Sequence, residues 1–225
     1  LADFIQERAT NRRPYQNLTL NDDQRRQLSM VSEEIGTGRL ILLEDLNKRK
    51  LIAQALSVNE IIVLETPGLH QQFFRHVVWT EKEERSKRTG LYVKTLELTP
   101  PQAFVFKLFS YWRTARILNK LGFSRFVAKS NAQIYATGSA LGILAFEDNR
   151  RENFIFAGRL LQRLWLKATQ MGMSLHPLTG VFFLMQRISD QEIDGALKPE
   201  QVEMIKQAYQ KIADIYATSI DYDPK

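Results

Sequence analysis

Arginine and small polar side chains are concentrated in one stretch near the amino end, where they could bind an anion. The sequence "RATNRRPY" contains Arg8, Arg12 and Arg13, with Thr10 and Asn11 between them. Arginine suits phosphate because its planar guanidinium donates to two oxygens at once. The alternative is a surface turn whose arginines pair with Glu7, Asp22 or Asp23, and spacing alone does not decide between these interpretations.

A second stretch joins the end of a long amphipathic run to an extended segment. Gly172 can take the left-handed conformation that ends a helix, and Pro177 favours an extended conformation at His176. The backbone N–H groups of residues 173–175 would then lie outside the helix and could face a flat ring, while Gly158 would allow another backbone to approach the helix. The alternative is an ordinary capped helix with a histidine bonded to the backbone.

Several classes of chemistry are excluded by what the sequence lacks. The 225 residues include no cysteine, so disulfides, thiolate catalysis and sulfur-based metal sites are absent. His70 and His76 are six residues apart and do not share a helix face as an i, i+4 ligand pair would. Glycine-rich nucleotide loops, the nucleophile-elbow motif and the zinc-protease motif are all missing. We therefore expect neither a metal site nor a catalytic side-chain constellation.

The formal net charge of +6 arises from one region of the chain. Between Leu98 and Phe146 there are six basic residues and no acidic one, so the rest of the chain is balanced. Aromatic residues alternate with the basic ones there, which would suit a nucleic-acid platform. The helical spacing of Phe104, Leu108 and Trp112 instead favours packing, with the basic residues facing solvent.

The elements that must position these residues are mostly helical. The periodicity predicts helices over residues 2–8, 23–35, 47–65, from Pro67 onward, from Pro100 to about 121, 150–171 and from Pro199 to the end of the amphipathic run. Strands are predicted at 39–45 and, with a glycine break, within 132–148; residues 80–90 are predicted to be a solvated connection and 178–188 a buried segment. This order indicates an α+β fold or a helix-flanked sheet, with no obvious linker.

Longer motifs connect the two stretches. The sequences "FIQERATNRRPY" and "AGRLLQRLWLKATQMGMSLHPLTG", with "RHVVWTEKEERSKRTGLYVKTLEL" between them, resemble the nitroreductase-like flavoprotein superfamily. The likeness is to the divergent branch in which two copies of the fold are joined, sometimes behind an adenylating domain, and this chain resembles the second copy.

The resemblance implies a single nitroreductase-like domain over residues 1–225, with a central mixed or antiparallel sheet flanked by helices and a possible lid or insertion at about 67–121. It implies a homodimer that holds FMN and transfers hydride from NAD(P)H to a nitro, quinone or related acceptor. The residues that would match the cofactor-binding ones are Arg8, Thr10, Asn11, Arg12, Arg13, Met173, Ser174, Leu175 and His176.

Two other functions remain open at this stage. One is a degenerate, non-catalytic copy of the fold that sequesters flavin or mediates assembly; the other, which the balanced charge elsewhere favours least, is a basic nucleic-acid-binding module. No apolar run approaches the roughly 18 residues that a membrane helix needs, so we expect a cytoplasmic protein without a membrane partner.

Overall fold

Two compact units make up the chain in the computed structural model, which describes residues 1–148, 150–192 and 195–220. Unit 1 comprises Leu1–Ile52, Ile134–Leu178 and Ile212–Lys225, and unit 2 comprises Ala53–Gln133 and Thr179–Lys211. The predicted lid at 67–121 falls entirely within unit 2. The single-domain assignment stays a prediction.

The helices and strands follow one another in a mixed order. In chain order the α-helices of the described residues are α1 (Asp22–Ile35), α2 (Leu46–Leu56), α3 (Val58–Glu65), α4 (Pro67–Arg75), α5 (Glu81–Lys87), α6 (Pro100–Phe109), α7 (Trp112–Lys120), α8 (Phe123–Ala136), α9 (Arg151–Gln170), α10 (Gly180–Ser189) and α11 (Pro199–Ile220). The strands are β1 (Arg39–Leu43), β2 (Val77–Val78), β3 (Leu91–Tyr92) and β4 (Leu141–Ala145).

The described strands form two small sheets. In unit 1, β1 pairs antiparallel with β4, so that Arg39 lies opposite Ala145 and Leu43 opposite Leu141. In unit 2, β2 and β3 form a parallel pair of two residues each. The predicted α+β class is therefore confirmed. The finer, nitroreductase-like architecture stays a prediction, since the sheets of the described residues have two strands each.

The core of unit 1 forms between α1 and α9. Asn21 caps α1, because its Oδ1 accepts from Gln24 N at 2.8 Å while Gln24 Oε1 accepts from Asn21 N at 2.9 Å. The buried side chains come from one stripe of each helix and from the residue before the Asn21 cap: Leu20, Leu28, Val31, Leu160, Leu164 and Ala168. This packing fixes α9, and hence the start of the loop that follows it, against α1.

The core of unit 2 is largely aromatic. Phe109 of α6 is buried with Phe74 of α4, and Phe123 stacks on Phe109 with ring centroids 5.0 Å apart. His70 is buried in the same region, where its Nε2 lies 2.8 Å from the carbonyl oxygen of Phe109. Phe106, Trp112 and Phe123 of the basic interval also pack against this core. The predicted packing of Phe104 and Leu108 is wrong, because their side of α6 faces away from the core and leaves them 65% and 40% exposed.

A predicted connection and a predicted helix both differ from the structure. The interval 80–90, predicted to be a solvated connection, contains α5, because Thr80 and Glu83 form a capping box. The predicted helix over 2–8 is wrong in extent, since only Ala2–Phe4 form a 3-10 helix.

Two further element boundaries differ from the prediction, because a short apolar run is compatible with either a buried helix or a buried strand. The predicted strand within 132–148 is wrong at its start, where residues 132–136 end α8, and β4 covers only Leu141–Ala145. The buried segment predicted at 178–188 contains α10, on which Phe183 is 65% exposed.

Candidate functional site

The arginine-rich segment and the loop after α9 are neighbours in unit 1. Thr10 forms a parallel bridge with Leu175, and Asn11 N donates to Leu175 O at 3.1 Å. The two stretches are more than 160 residues apart in sequence, so tertiary folding alone brings them together. Among the predicted cofactor-binding residues, Thr10 and Asn11 therefore meet Leu175 directly.

Trp165 of α9 fastens the arginine-rich segment to the helix. The Arg8 guanidinium carbon lies 4.1 Å from the centroid of the indole ring, and Trp165 Nε1 donates to Ala9 O at 3.3 Å. The indole is 8% exposed, so both contacts form against a buried ring. The periodicity had placed Trp165 only on the apolar stripe; its role in holding Arg8 was missed.

Asn11 shapes the backbone of the next residues. Its Oδ1 accepts from Arg13 N at 3.1 Å, and its Nδ2 donates to Arg13 O at the same distance. Tyr15 N then donates to Thr137 Oγ1 at 2.9 Å, which anchors the far side of the turn. Asn11 therefore sets the direction of the chain at Arg12 and Arg13, a structural role that the sequence did not reveal.

Fewer backbone N–H groups after α9 are released from the helix than predicted. Gly172 has φ +72°, as expected for a helix end, and Met173 N donates to Ala168 O at 2.8 Å. The expectation that the N–H of Met173 is released from the helix is therefore wrong. Met173 and Leu175 pack against the core of unit 1, whereas Ser174 is exposed, so the chain alternates between core and surface here.

Replacing Gly172 by alanine should lower the free energy of unfolding by about 1–2 kcal/mol. A Cβ at this position would meet no atom within 4 Å, so the cost comes from the left-handed backbone alone. Gly158→Ala is the matched control: it lies inside α9 with equal space around it, and should stabilise by about 0.5–1 kcal/mol. Urea unfolding of both variants tests this, and equal effects of the same sign would contradict it.

The open space around Gly158 also corrects a prediction. No described atom outside the immediate helix lies within 4 Å of a Cβ built there, so the expected close approach of another backbone is not found among the described residues.

Two buried nitrogen atoms at this site have no hydrogen-bond partner among the described residues. They are Arg8 Nε and His176 Nδ1. A buried polar atom without a partner is costly, and in a functional site it commonly marks the position of a ligand or of water. Tyr135 packs edge-on against the His176 ring with centroids 5.5 Å apart, so that ring is held in place on one side.

His176 is neutral under ordinary conditions. Burial, and then the positive charge of Arg12, lowers the pKa of His176 from 6.5 to about 4. Both causes favour the uncharged form of the ring. The site therefore combines fixed guanidinium charge with an uncharged ring nitrogen.

The lowered pKa of His176 should make the protein less stable in acid. Between pH 6.5 and about 4 the unfolded chain binds a proton that the folded chain does not, so stability falls as pH falls through this window. Because His176 is half-buried, solvent reduces the effect, and we expect a loss of about 1–2 kcal/mol. His176→Gln should remove this part of the pH dependence, as measured by urea unfolding at pH 7.5 and 4.5. Parallel curves for the two proteins would refute the assignment.

For the alternative interpretation, a surface turn whose arginines pair with nearby carboxylates, the structure gives other partners to two of the candidate carboxylates. Asp22 and Asp23 pair with Arg25 and Arg26 along α1, at 2.6 Å and 2.5 Å. Arg12 is half-buried and Arg13 exposed, and the backbone on which both lie is held by Asn11.

Two other features, metal-ligand clusters and membrane-spanning helices, are missing from the described residues. These residues contain no group of three or more metal-ligating side chains, and none of their helices has both the length and the apolar character needed to cross a membrane. Comparison with family models, with curated proteins and with solved structures gave no match for this chain.

Proposed function

We propose that this chain binds FMN and acts as an NAD(P)H-dependent oxidoreductase on a nitro, quinone or related acceptor. The observation that supports this most directly is the pairing of Thr10 with Leu175, since it joins an arginine-rich segment to the loop after α9, on which Ser174 is exposed. A flavin nucleotide needs these two surfaces side by side, one for its phosphate and one for its ring.

The charges suit the phosphate end of such a ligand. Arg12 and Arg13 lie on a turn that Asn11 holds, so their guanidinium groups would bind a phosphate without the backbone having to reorganise. Arg8 is fixed on Trp165, and its buried Nε would gain a partner from a ligand oxygen or a bound water.

The loop after α9 suits the ring end. Ser174 is exposed beside the Thr10 bridge, and His176 Nδ1 is buried with no partner in the described part of the chain. A neutral imidazole can donate or accept one hydrogen bond without adding a second charge. These groups would orient a flat heterocycle by its polar edge.

The chain itself needs no catalytic acid or base for this activity. When bound, FMN would supply the hydride-transfer chemistry between NAD(P)H and the acceptor, with the acceptor's protons taken from solvent, while Arg8, Arg12 and Arg13 would hold the phosphate end and the loop after α9 the ring end. The lack of a recognised catalytic side-chain motif in the sequence is consistent with that division of labour. A second copy of the chain would complete the site from the other side, as we propose for a homodimer.

The experiment is a spectrum of the freshly purified protein before and after FMN is added, followed by titration of FMN fluorescence. We expect flavin absorbance that moves with the protein on gel filtration and is bleached by NADH or NADPH without oxygen. Protein that stays colourless and gains no thermal stability from FMN would refute this proposal and favour a flavin-free copy of the fold. Light scattering on the same column measures whether a dimer forms.

A further inference from the structure

Unit 2 has a basic surface with large exposed apolar side chains, which the proposed flavin site does not use. Helices α6, α7 and α8 lie within the interval Leu98 to Phe146, in which six residues are basic and none is acidic. We call the exposed residues of these three helices and the turns that join them the α6–α8 surface.

Helix α6 packs one face and exposes another that carries both apolar and basic side chains. Phe109 is 2% exposed in the aromatic core. Phe104, Lys107 and Leu108, at the helical spacing i, i+3 and i+4, are all exposed, with Phe104 at 65%. Tyr111, between α6 and α7, is 63% exposed. An unpacked apolar face of this kind is more than the scattered exposure of single hydrophobic residues.

Helix α7 repeats the pattern with more charge. Arg113, Arg116, Ile117 and Lys120 are exposed at the same spacing, and Ala115 is buried on the other face. Ile117 is 60% exposed, so it lies on the same exposed face as the three cations and does not pack into the core.

The pattern continues into α8. Leu121, in the turn before this helix, is 79% exposed, and Phe126 is 67% exposed. Arg125 and Lys129 are exposed next to Phe126, one helical turn apart. Three consecutive helices therefore each present apolar side chains together with cations.

We propose that the α6–α8 surface docks on bilayers that contain anionic phospholipids. Long apolar side chains enter the region between headgroups and acyl chains, while lysine and arginine attract the anionic headgroups. Both components are present on the same helix faces, and no described carboxylate in the interval opposes them. The expectation of no membrane partner considered only membrane-spanning helices. Peripheral binding to a bilayer surface requires no spanning helix.

Charge and side-chain type argue against two other occupants. A second copy docked through the same surface would bring six cations against six, which is repulsive. Nucleic acid would use the arginines and aromatic rings, but Leu108, Ile117 and Leu121 have no planar face on which a base could stack.

Vesicle co-sedimentation tests the proposal, with phosphatidylcholine alone and with added phosphatidylserine. We expect sedimentation of the wild-type chain with the anionic vesicles only. Arg113→Gln, Arg116→Gln and Lys120→Gln together should reduce partitioning about 100-fold, at about fivefold per charge. Phe104→Ser with Ile117→Ser should reduce it tenfold or more, although both positions are exposed and the fold should persist.

The matched control is Phe154→Ser with Ile155→Ser on α9. These side chains are 62% and 68% exposed, but they belong to unit 1, and their replacement should leave vesicle binding unchanged. Equal loss in both apolar pairs, equal binding to neutral and anionic vesicles, or no vesicle binding would overturn the proposal. So would binding of a single-stranded oligonucleotide that the charge variant abolishes while vesicles do not compete.

Discussion

Replacing Arg12 and Arg13 together by alanine should weaken FMN binding by about two to four orders of magnitude. Each charged contact to a phosphate is worth about 1.5–3 kcal/mol, and a factor of ten in affinity corresponds to about 1.4 kcal/mol. Arg12 also lies close enough to His176 to lower its pKa, so its removal changes the field at both ends of the proposed ligand. Titration of FMN fluorescence measures the change directly.

The matched control for this variant is Arg150→Ala with Arg151→Ala. These two arginines are also adjacent in sequence, also belong to unit 1, and are both exposed, Arg150 pairing with Asp148 at 2.7 Å. The control removes the same net charge but leaves the segment beside Leu175 intact, so FMN affinity should stay within about threefold, apart from long-range charge effects. Equal loss in the two double variants would show that overall charge, not a phosphate site, governs binding.

A conservative variant separates charge from geometry at the same positions. Arg12→Lys with Arg13→Lys keeps both charges but loses the planar fork that bonds two oxygens at once. We expect intermediate affinity, because a lysine attracts phosphate as a point charge. Wild-type affinity in this variant would indicate attraction at a distance rather than direct contact.

The meeting of residues 8–13 with 173–176 could be predicted only from the long motifs taken together. Locally, each stretch has an ordinary alternative, a charged turn in one case and a capped helix in the other. The left-handed Gly172 was predictable, because glycine at the end of a periodic run followed by proline has few other uses. The hydrogen bond from Met173 N back to Ala168 O was not, since it depends on how tightly the last turn closes.

The roles of Trp165 and Asn11 could not be inferred from periodicity. Trp165 occupies an apolar position of α9, and only the fold shows that its ring edge reaches Ala9 and its face meets Arg8. The same limit explains α8, where small and apolar residues continue from the helix into β4 without a change of composition. The sequence pattern identified the buried face of α1 but not that of α6, where Phe104 is exposed, and the partner across each interface depends on the fold of the whole unit.

Trp165→Ala should lower the free energy of unfolding by about 3–5 kcal/mol and also weaken FMN binding. The loss of stability follows from deleting a buried indole, and the loss of affinity follows because Arg8 and Ala9 lose their anchor on α9. Phe109→Ala in unit 2 is the control for stability, since Phe109 is 2% exposed and should cost a similar amount without touching the arginine-rich segment.

Trp165→Phe separates the role of Trp165 in positioning the arginine-rich segment from its role in core packing. This test remains possible if Trp165→Ala does not fold. Phenylalanine keeps an aromatic face for the Arg8 guanidinium but cannot donate to Ala9 O, so we expect a loss of about 1 kcal/mol of stability from that hydrogen bond. If Trp165 positions the site, FMN affinity falls more in Trp165→Phe than in Phe109→Ala, although the latter is the less stable protein. The reverse order, measured by FMN titration well below both unfolding transitions, would show that Trp165 contributes packing alone.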